Sequence, residues 1–210
     1  MNNAAYRRKI TETAIELLNT KDCKDVTMDL LAGTLHISKR TLYEVFNNKE
    51  ELVFGCLTEV QHRINEHRTA LCSSEKDPIK LLLNLLKSTY LMNNQYAMLI
   101  LNAKHQYPEL YEKIQHLYDE RFYTTLTTTM HKLSDNGDLN DSTDIEMSAK
   151  TLICTMNHSM EISMSKNVEI SKLTRNGIYL YTRGMLSTKA IKRYDKNEEE
   201  FRNLLGYDED

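Results

Sequence analysis

The chain has 210 residues, with 27 Lys and Arg against 30 Asp and Glu and a formal net charge of −3, so no global positive field draws it to nucleic acid or to an anionic membrane. Only 2 Pro and 6 Gly interrupt a composition rich in Leu, Met, Lys and Glu; with no strand-like alternation anywhere, this excludes β architectures and predicts an all-α protein. Cys23, Cys56, Cys72 and Cys154 follow no paired spacing and read as reduced thiols of a cytoplasmic protein, no signal peptide precedes the first helix, and no apolar run approaches the roughly 20 residues of a membrane span.

The first helix is expected over residues 4–20, with Ile10, Ala14, Leu17 and Leu18 inward. Arg7, Arg8 and Lys9 crowd its outer start, where they suit phosphate contacts or a solvated face equally well. The stretch 27–46 then holds two short amphipathic helices separated by a tight corner, the outline of a helix-turn-helix. Thr27 can cap the first, which carries Leu30, Leu31 and Leu35; Ser38 can cap the second, which carries Leu42, Val45 and Phe46. With Ile37 turned inward, Lys39, Arg40, Thr41 and then Tyr43 face outward, the groups that contact phosphates and base edges when such a helix enters the major groove. Asn48 with Glu51 reads as a capping box opening a long helix to about Arg68, and Lys49 sits at its N-terminus.

Ile10, Ala14, Leu17, Leu18, Thr27, Ala32, Ile37-Ser38, Thr41-Leu42-Tyr43, Phe46 and Asn48-Lys49-Glu50-Glu51-Leu52 resemble the TetR-type (tetracycline-repressor-like) bacterial transcription regulators. The resemblance covers about the first quarter of the chain. It implies a three-helix DNA-binding head over residues 1–50, joined by a long helix to a larger effector-binding and dimerisation body over 51–210. It also implies that Lys49 contacts the DNA backbone. The family often has Gly in the loop after the first helix, before the second helix's cap and at the turn, where this chain has Asp22, Asp25 and His36; Asp and His tolerate left-handed backbone better than most residues.

Further along, Asp77-Pro78 caps and starts a helix whose Leu81, Leu82, Leu85 and Leu86 form a buried stripe reaching Tyr90. Residues 95–105 form a shorter helix, apolar nearly all round, and 108–134 another, which includes a threonine-rich run of weak helix formers from Tyr123 to Thr129. Thr143 with Glu146 reads as a second capping box, opening a helix to about Lys166; Ser171 can cap a last long helix running to about Tyr194. These last two helices carry more apolar surface than one intrachain contact uses, which makes them the expected homodimer interface. The acidic tail from Asn197 to Asp210, with Phe201, Leu204 and Leu205, either docks as a short helix or stays loose.

Catalytic signatures are lacking: there is no Gly-rich phosphate loop, nucleophile elbow or Cys-x-x-Cys pair. Glu59-x-x-His62 and His158-x-x-Glu161 have helix-bundle metal spacing, but only one has the Glu-first order that a di-iron site requires twice. The expectation is therefore a regulator, not an enzyme, with no cofactor and no metal. A helix-bundle metalloprotein and a helical interaction module that binds no DNA are the alternatives.

DNA contact is expected from Thr27, Ser38, Lys39, Arg40, Thr41, Tyr43 and Lys49, with Lys39, Arg40 and Thr41 nearest base edges and the alternative for Tyr43 a half-buried packing role. The partners are a palindromic operator in double-stranded DNA, a second copy of the chain and an unidentified small-molecule effector, whose release mechanism is implied by the family resemblance. Tyr90, Met98, Asn102, His105, Tyr118, Phe122, Met156 and His158 are the expected pocket residues, the alternative being an ordinary core rich in Tyr and Met. With no charge at these inward positions, the expected ligand is neutral or weakly polar and partly aromatic.

Overall fold

Every regular element is helical in a computed structural model that describes residues 3–166 and 174–204. The helices are α1 (Asn3–Leu18), α2 (Met28–Leu35), α3 (Lys39–Tyr43), α4 (Lys49–Ser74), α5 (Pro78–Gln95), α6 (Ala97–Gln106), α7 (Pro108–Asp135), α8 (Ile145–Lys166), a π-helical stretch Thr174–Tyr179 leading into α9 (Leu180–Gly184), and α10 (Thr188–Leu204). Extended pairing among the described residues amounts to one antiparallel bridge, Leu139 with Leu186. No described helix is long and apolar enough to cross a membrane. Two compact units emerge, Met1–Asn65 with Met92–Tyr118, and Glu66–Leu91 with Asp119–Asp210.

In the first unit, α2 turns inward Met28, Leu31, Ala32 and Leu35, the i, i+3, i+4, i+7 stripe of an amphipathic helix. Leu30, expected on that stripe, is 38% exposed, because it lies one residue off it. Ile10, Ala14, Ile15 and Leu18 of α1, Leu42 of α3, Phe46 and the inward face of α4 from Leu52 to Ile64 complete the buried set. Phe46 is held from two sides. A Cβ at Gly55 would come within 3.1 Å of its ring, so only glycine lets α4 pass this close without displacing it. The Arg7 guanidinium lies 4.3 Å above the ring centroid and donates to the Val45 carbonyl at 2.9 Å. Arg7 thus packs the head together. The cap of α4 forms as expected, Glu51 N–H to Asn48 Oδ1 at 2.8 Å, but the Glu51 carboxylate reaches back to Asn47 and not Asn48. On the same unit, α6 meets the end of α1: Asn102 donates to the Lys21 carbonyl and Gln106 to the Asp22 carboxylate.

The second unit packs Leu81, Leu82, Leu85 and Leu86 of α5 with Phe122, Leu126, Met130 and Leu133 of α7, Leu152, Ile153 and Met156 of α8, and Ile178, Leu186, Ala190 and Tyr194. The threonine run is held helical by the burial of Leu126 and Met130, and the hydroxyls of Thr124, Thr125, Thr127, Thr128 and Thr129 are satisfied on the carbonyl four residues back. Two expectations are corrected here. Asp144, not Thr143, caps α8, accepting from Met147 N–H at 3.0 Å; Thr143 instead donates to the Met185 carbonyl at 3.1 Å. The single helix expected up to Tyr194 breaks after Gly184. Asn140 N–H and Thr143 Oγ1 take the Met185 carbonyl, and Ser187 N–H turns to the Asp138 carbonyl, so the backbone groups that would continue the helix are bonded to the loop after α7. The Ser171 cap, and the side chains of Phe201, Leu204 and Leu205 in the tail, lie outside the described residues.

Candidate nucleic-acid interface

The corner between α2 and α3 is built by backbone chemistry. His36 takes φ 53° and ψ 41°, the left-handed conformation that ends a helix. Its N–H donates to the Gly33 carbonyl at 3.1 Å, and the next N–H, of Ile37, donates to the Ala32 carbonyl at 3.0 Å. This pair of bonds is a Schellman cap, and it redirects the chain in one residue. Ser38 then opens α3, its Oγ accepting from Thr41 N–H at 3.0 Å, just as Thr27 Oγ1 accepts from Leu30 N–H at 3.1 Å at the head of α2. Leu42 is the buried side of α3; Lys39, Arg40 and Tyr43, the last 47% exposed, are its outer side.

Two of the outer cations have partners within the head. Lys39 Nζ lies 2.6 Å from Asp29 Oδ2, and Arg40 Nε 3.0 Å from Glu44 Oε1, all four side chains well exposed. Lys49, half-buried at the start of α4, donates to the Cys23 carbonyl in the loop before α2. An ammonium has three N–H donors, so that bond leaves it donors for an anion. Thr27, Ser38, Lys39, Arg40 and Tyr43 are exposed and Thr41 half-buried; all seven expected DNA residues belong to the first unit.

Residues 10–56 match the family profile described as bacterial regulatory proteins, tetR family. The head is a tetR-type head. The whole chain shares its fold with solved structures. A TetR-family transcriptional regulator from Marinobacter aquaeolei has a TM-score of 0.73 at 18% identity, over 93% of this chain and 98% of that one. A TetR transcription regulator from Haloarcula marismortui has 0.76 at 17%, over 88% and 100%. A protein from Saccharomonospora viridis solved in complex with choline has 0.75 at 15%, over 88% and 99%. No curated protein matches the chain. The tetR-family match is thus confined to residues 10–56, and the likeness beyond it is one of fold.

The expected pocket residues are found in both units. Met98, Asn102, His105 and Tyr118 belong to the first unit with the tetR-type head, and Tyr90, Phe122, Met156 and His158 to the second. Tyr118, Phe122 and Met156 are buried, and Tyr90, Met98 and Asn102 half-buried. His105 and His158 are corrections, since both are exposed; His158 Nδ1 bonds the Cys154 carbonyl on its own helix at 2.8 Å. Of the metal-spaced pairs, Glu59 binds Arg63 at 2.9 Å while His62 is exposed, and the Glu161 side chain lies outside the described residues.

One residue of consequence escaped the sequence reading. Arg68, at only 7% exposure, is a buried guanidinium in the second unit. The signal was present: Val53, Leu57, Val60 and Ile64 form the buried stripe of α4, and Arg68 is its next position, four residues on.

Proposed function

We propose that this chain is a dimeric repressor that reads a palindromic operator in double-stranded DNA and releases it when a small molecule binds the helical body. The observation that carries the DNA-reading part is the capped corner at His36 and Ser38, which leaves Lys39, Arg40, Thr41 and Tyr43 on the outer side of α3 with Leu42 beneath them. In this reading Ser38 lines the DNA side, Lys39, Arg40 and Thr41 meet base edges, and Thr27, Tyr43 and Lys49 hold phosphates. Residues 1–50 are the reading part; 51–210 carry dimerisation and effector binding.

Dimerisation is supported by large apolar side chains left without cover on the second unit. Met147 of α8 is 59% exposed and Leu180 of α9 50%, and both line one open groove with Tyr181 and Met185. A second copy is the natural cover, because a lone reading head spans few base pairs and two-fold pairing places two heads about one helical turn apart. Effector release is supported by the fold's solved example holding choline, and by the bonds from Asn102 and Gln106 of α6 to the loop that follows α1. A shift of α6 would reach the head directly.

Fluorescence anisotropy against the DNA flanking the chain's own gene tests the reading. Retention by the wild type, with loss in a Lys39→Ala/Arg40→Ala double variant that keeps its helical spectrum, is expected; equal binding by both would overturn the assignment of α3.

A further inference from the structure

A buried arginine without a bonded counter-charge needs an explanation, because removing a charge from water without pairing it is among the most costly arrangements in a core. Among the described residues none offers Arg68 a bonded counter-charge. Its Nε and Nη2 both donate to one neutral oxygen, Thr89 Oγ1, at 3.2 and 2.9 Å. That hydroxyl gives its own proton to the Leu85 carbonyl. The guanidinium carbon stacks 3.7 Å above the Phe122 ring. Asp119 attracts Arg68 through space, yet its carboxylate is bonded by Asn157 Nδ2 at 3.0 Å, and Arg68's own hydrogen bonds do not reach it. Burial lowers the guanidinium to about 10, still protonated at neutral pH. Of five N–H donors, those of Nε and Nη2 are shared with Thr89, and no described residue bonds Nη1. One residue before Thr89, Ser88 Oγ, at 4% exposure, is a buried polar atom with no partner among the described residues.

The core of the same unit is hydrocarbon. Leu85, Leu86, Phe122, Ile153 and Met156 belong to the same core. A planar fork with free donors, backed by an aromatic face and flanked by aliphatic side chains, is matched by a carboxylate carried on an apolar body.

We propose that Arg68 anchors the charged end of the effector, and that the effector is a small monocarboxylic acid with a hydrocarbon or aryl body. This inference rests on the effector-released reading above and replaces the neutral ligand that the sequence suggested. It also separates this chain from the choline-bound protein of the same fold, since a quaternary ammonium would be repelled by Arg68.

The test uses the purified full chain and a ligand series graded in length. Straight-chain acids from butanoate to dodecanoate, and phenylacetate, are compared with their amides and with choline by thermal shift and calorimetry. At least one acid should stabilise the wild type and bind at least tenfold tighter than its amide, with choline inert. Arg68→Met should lose that preference, and Arg68→Lys should keep part of it. Arg68→Met should fold with an unchanged or raised midpoint, because an apolar chain replaces an unpaired charge. Amides binding as tightly as acids, acids binding Arg68→Met as tightly as wild type, or no acid of the series binding would each overturn the proposal. An acid that binds through Arg68 but leaves operator affinity untouched would uphold it and sink the release mechanism instead.

Discussion

Lys39 on the first turn of α3 is paired with Asp29 on the first turn of α2, Nζ to Oδ2 at 2.6 Å, across the corner that His36 makes. A lysine facing DNA must give up this partner, and Asp29 then remains as a negative charge beside phosphates. Both side chains are more than half exposed, so the pair itself stabilises by only ~0.2–1 kcal/mol. Asp29→Asn should therefore leave the folded state nearly unchanged and tighten operator binding severalfold, read by anisotropy at fixed salt. Unchanged affinity would mean that Lys39 does not approach the duplex.

Lys49 and Arg40 should separate affinity from specificity. Lys49 donates to the Cys23 carbonyl and, in the proposed orientation, also to a phosphate. Lys49→Ala should weaken all sequences alike and reduce the salt slope by about one unit, whereas Arg40→Ala should cost ~1–3 kcal/mol on the operator and relax sequence preference. If Lys49→Ala alters neither affinity nor salt slope, the head is oriented differently.

The uncovered apolar side chains make the assembly testable. Met147→Asp combined with Leu180→Asp places charge in the groove where the second copy should sit. Sedimentation at micromolar protein should shift from dimer to monomer, with operator affinity falling as two-headed binding is lost. A wild type that is already monomeric, or a double variant that stays dimeric, would move the interface elsewhere.

Acid should weaken the first unit at a defined place. Arg63 of α4 binds Glu12 of α1, and its hydrogen bond and charge hold the Glu12 carboxyl below its usual 4.5, against the opposing effect of partial burial. A depressed carboxylate stabilises the fold above its unfolded value and loses that contribution as pH falls through the folded value. The midpoint difference between wild type and Glu12→Gln should therefore be present at pH 7, amounting to at most ~1 kcal/mol for a pair this exposed, and should close as pH falls below the ordinary carboxylate range. A gap that does not shrink on acidification would assign it to packing.

How far the sequence alone reached depends on whether a feature is local. The caps at Thr27, Ser38 and Asn48 are read from residues three apart, and all three form. Thr143 failed as a cap because Asp144 competes one residue away, and a carbonyl more than forty residues distant, Met185, takes its hydroxyl. The break after Gly184 has the same origin, since its hydrogen bonds come from the loop after α7. Arg68 was missed for another reason: it continues the buried stripe of α4, but a charge at such a position is ordinarily solvated, and the stacking on Phe122 and the bonds to Thr89 show what holds it inside. His105 and His158 erred in the opposite sense, lying on helices that are apolar nearby yet facing out.

The left-handed residue at the corner offers a test of the backbone itself. His36 is the only non-glycine with positive φ among the described residues, whereas the equivalent cap that ends α7 uses Gly137 at φ 68°. Both close their helices with the same two bonds, Gly137 N–H to the Ser134 carbonyl and Asp138 N–H to the Leu133 carbonyl in the second case. Left-handed backbone costs a residue with a Cβ about 1–2 kcal/mol, somewhat less for the types that tolerate it. Glycine removes that strain but loses more conformational freedom on folding, so the two effects partly cancel. His36→Gly should still stabilise the head by about 0.5–1 kcal/mol, a rise of about 2 °C in the midpoint for a chain of this length. His36→Val should lower it, because a β-branched side chain suits this conformation least. Since His36 carries no role in the proposed DNA contacts, operator affinity per folded protein should be the same for the glycine variant and the wild type. If the glycine variant melts lower, the imidazole makes a stabilising contribution that outweighs the strain at the corner.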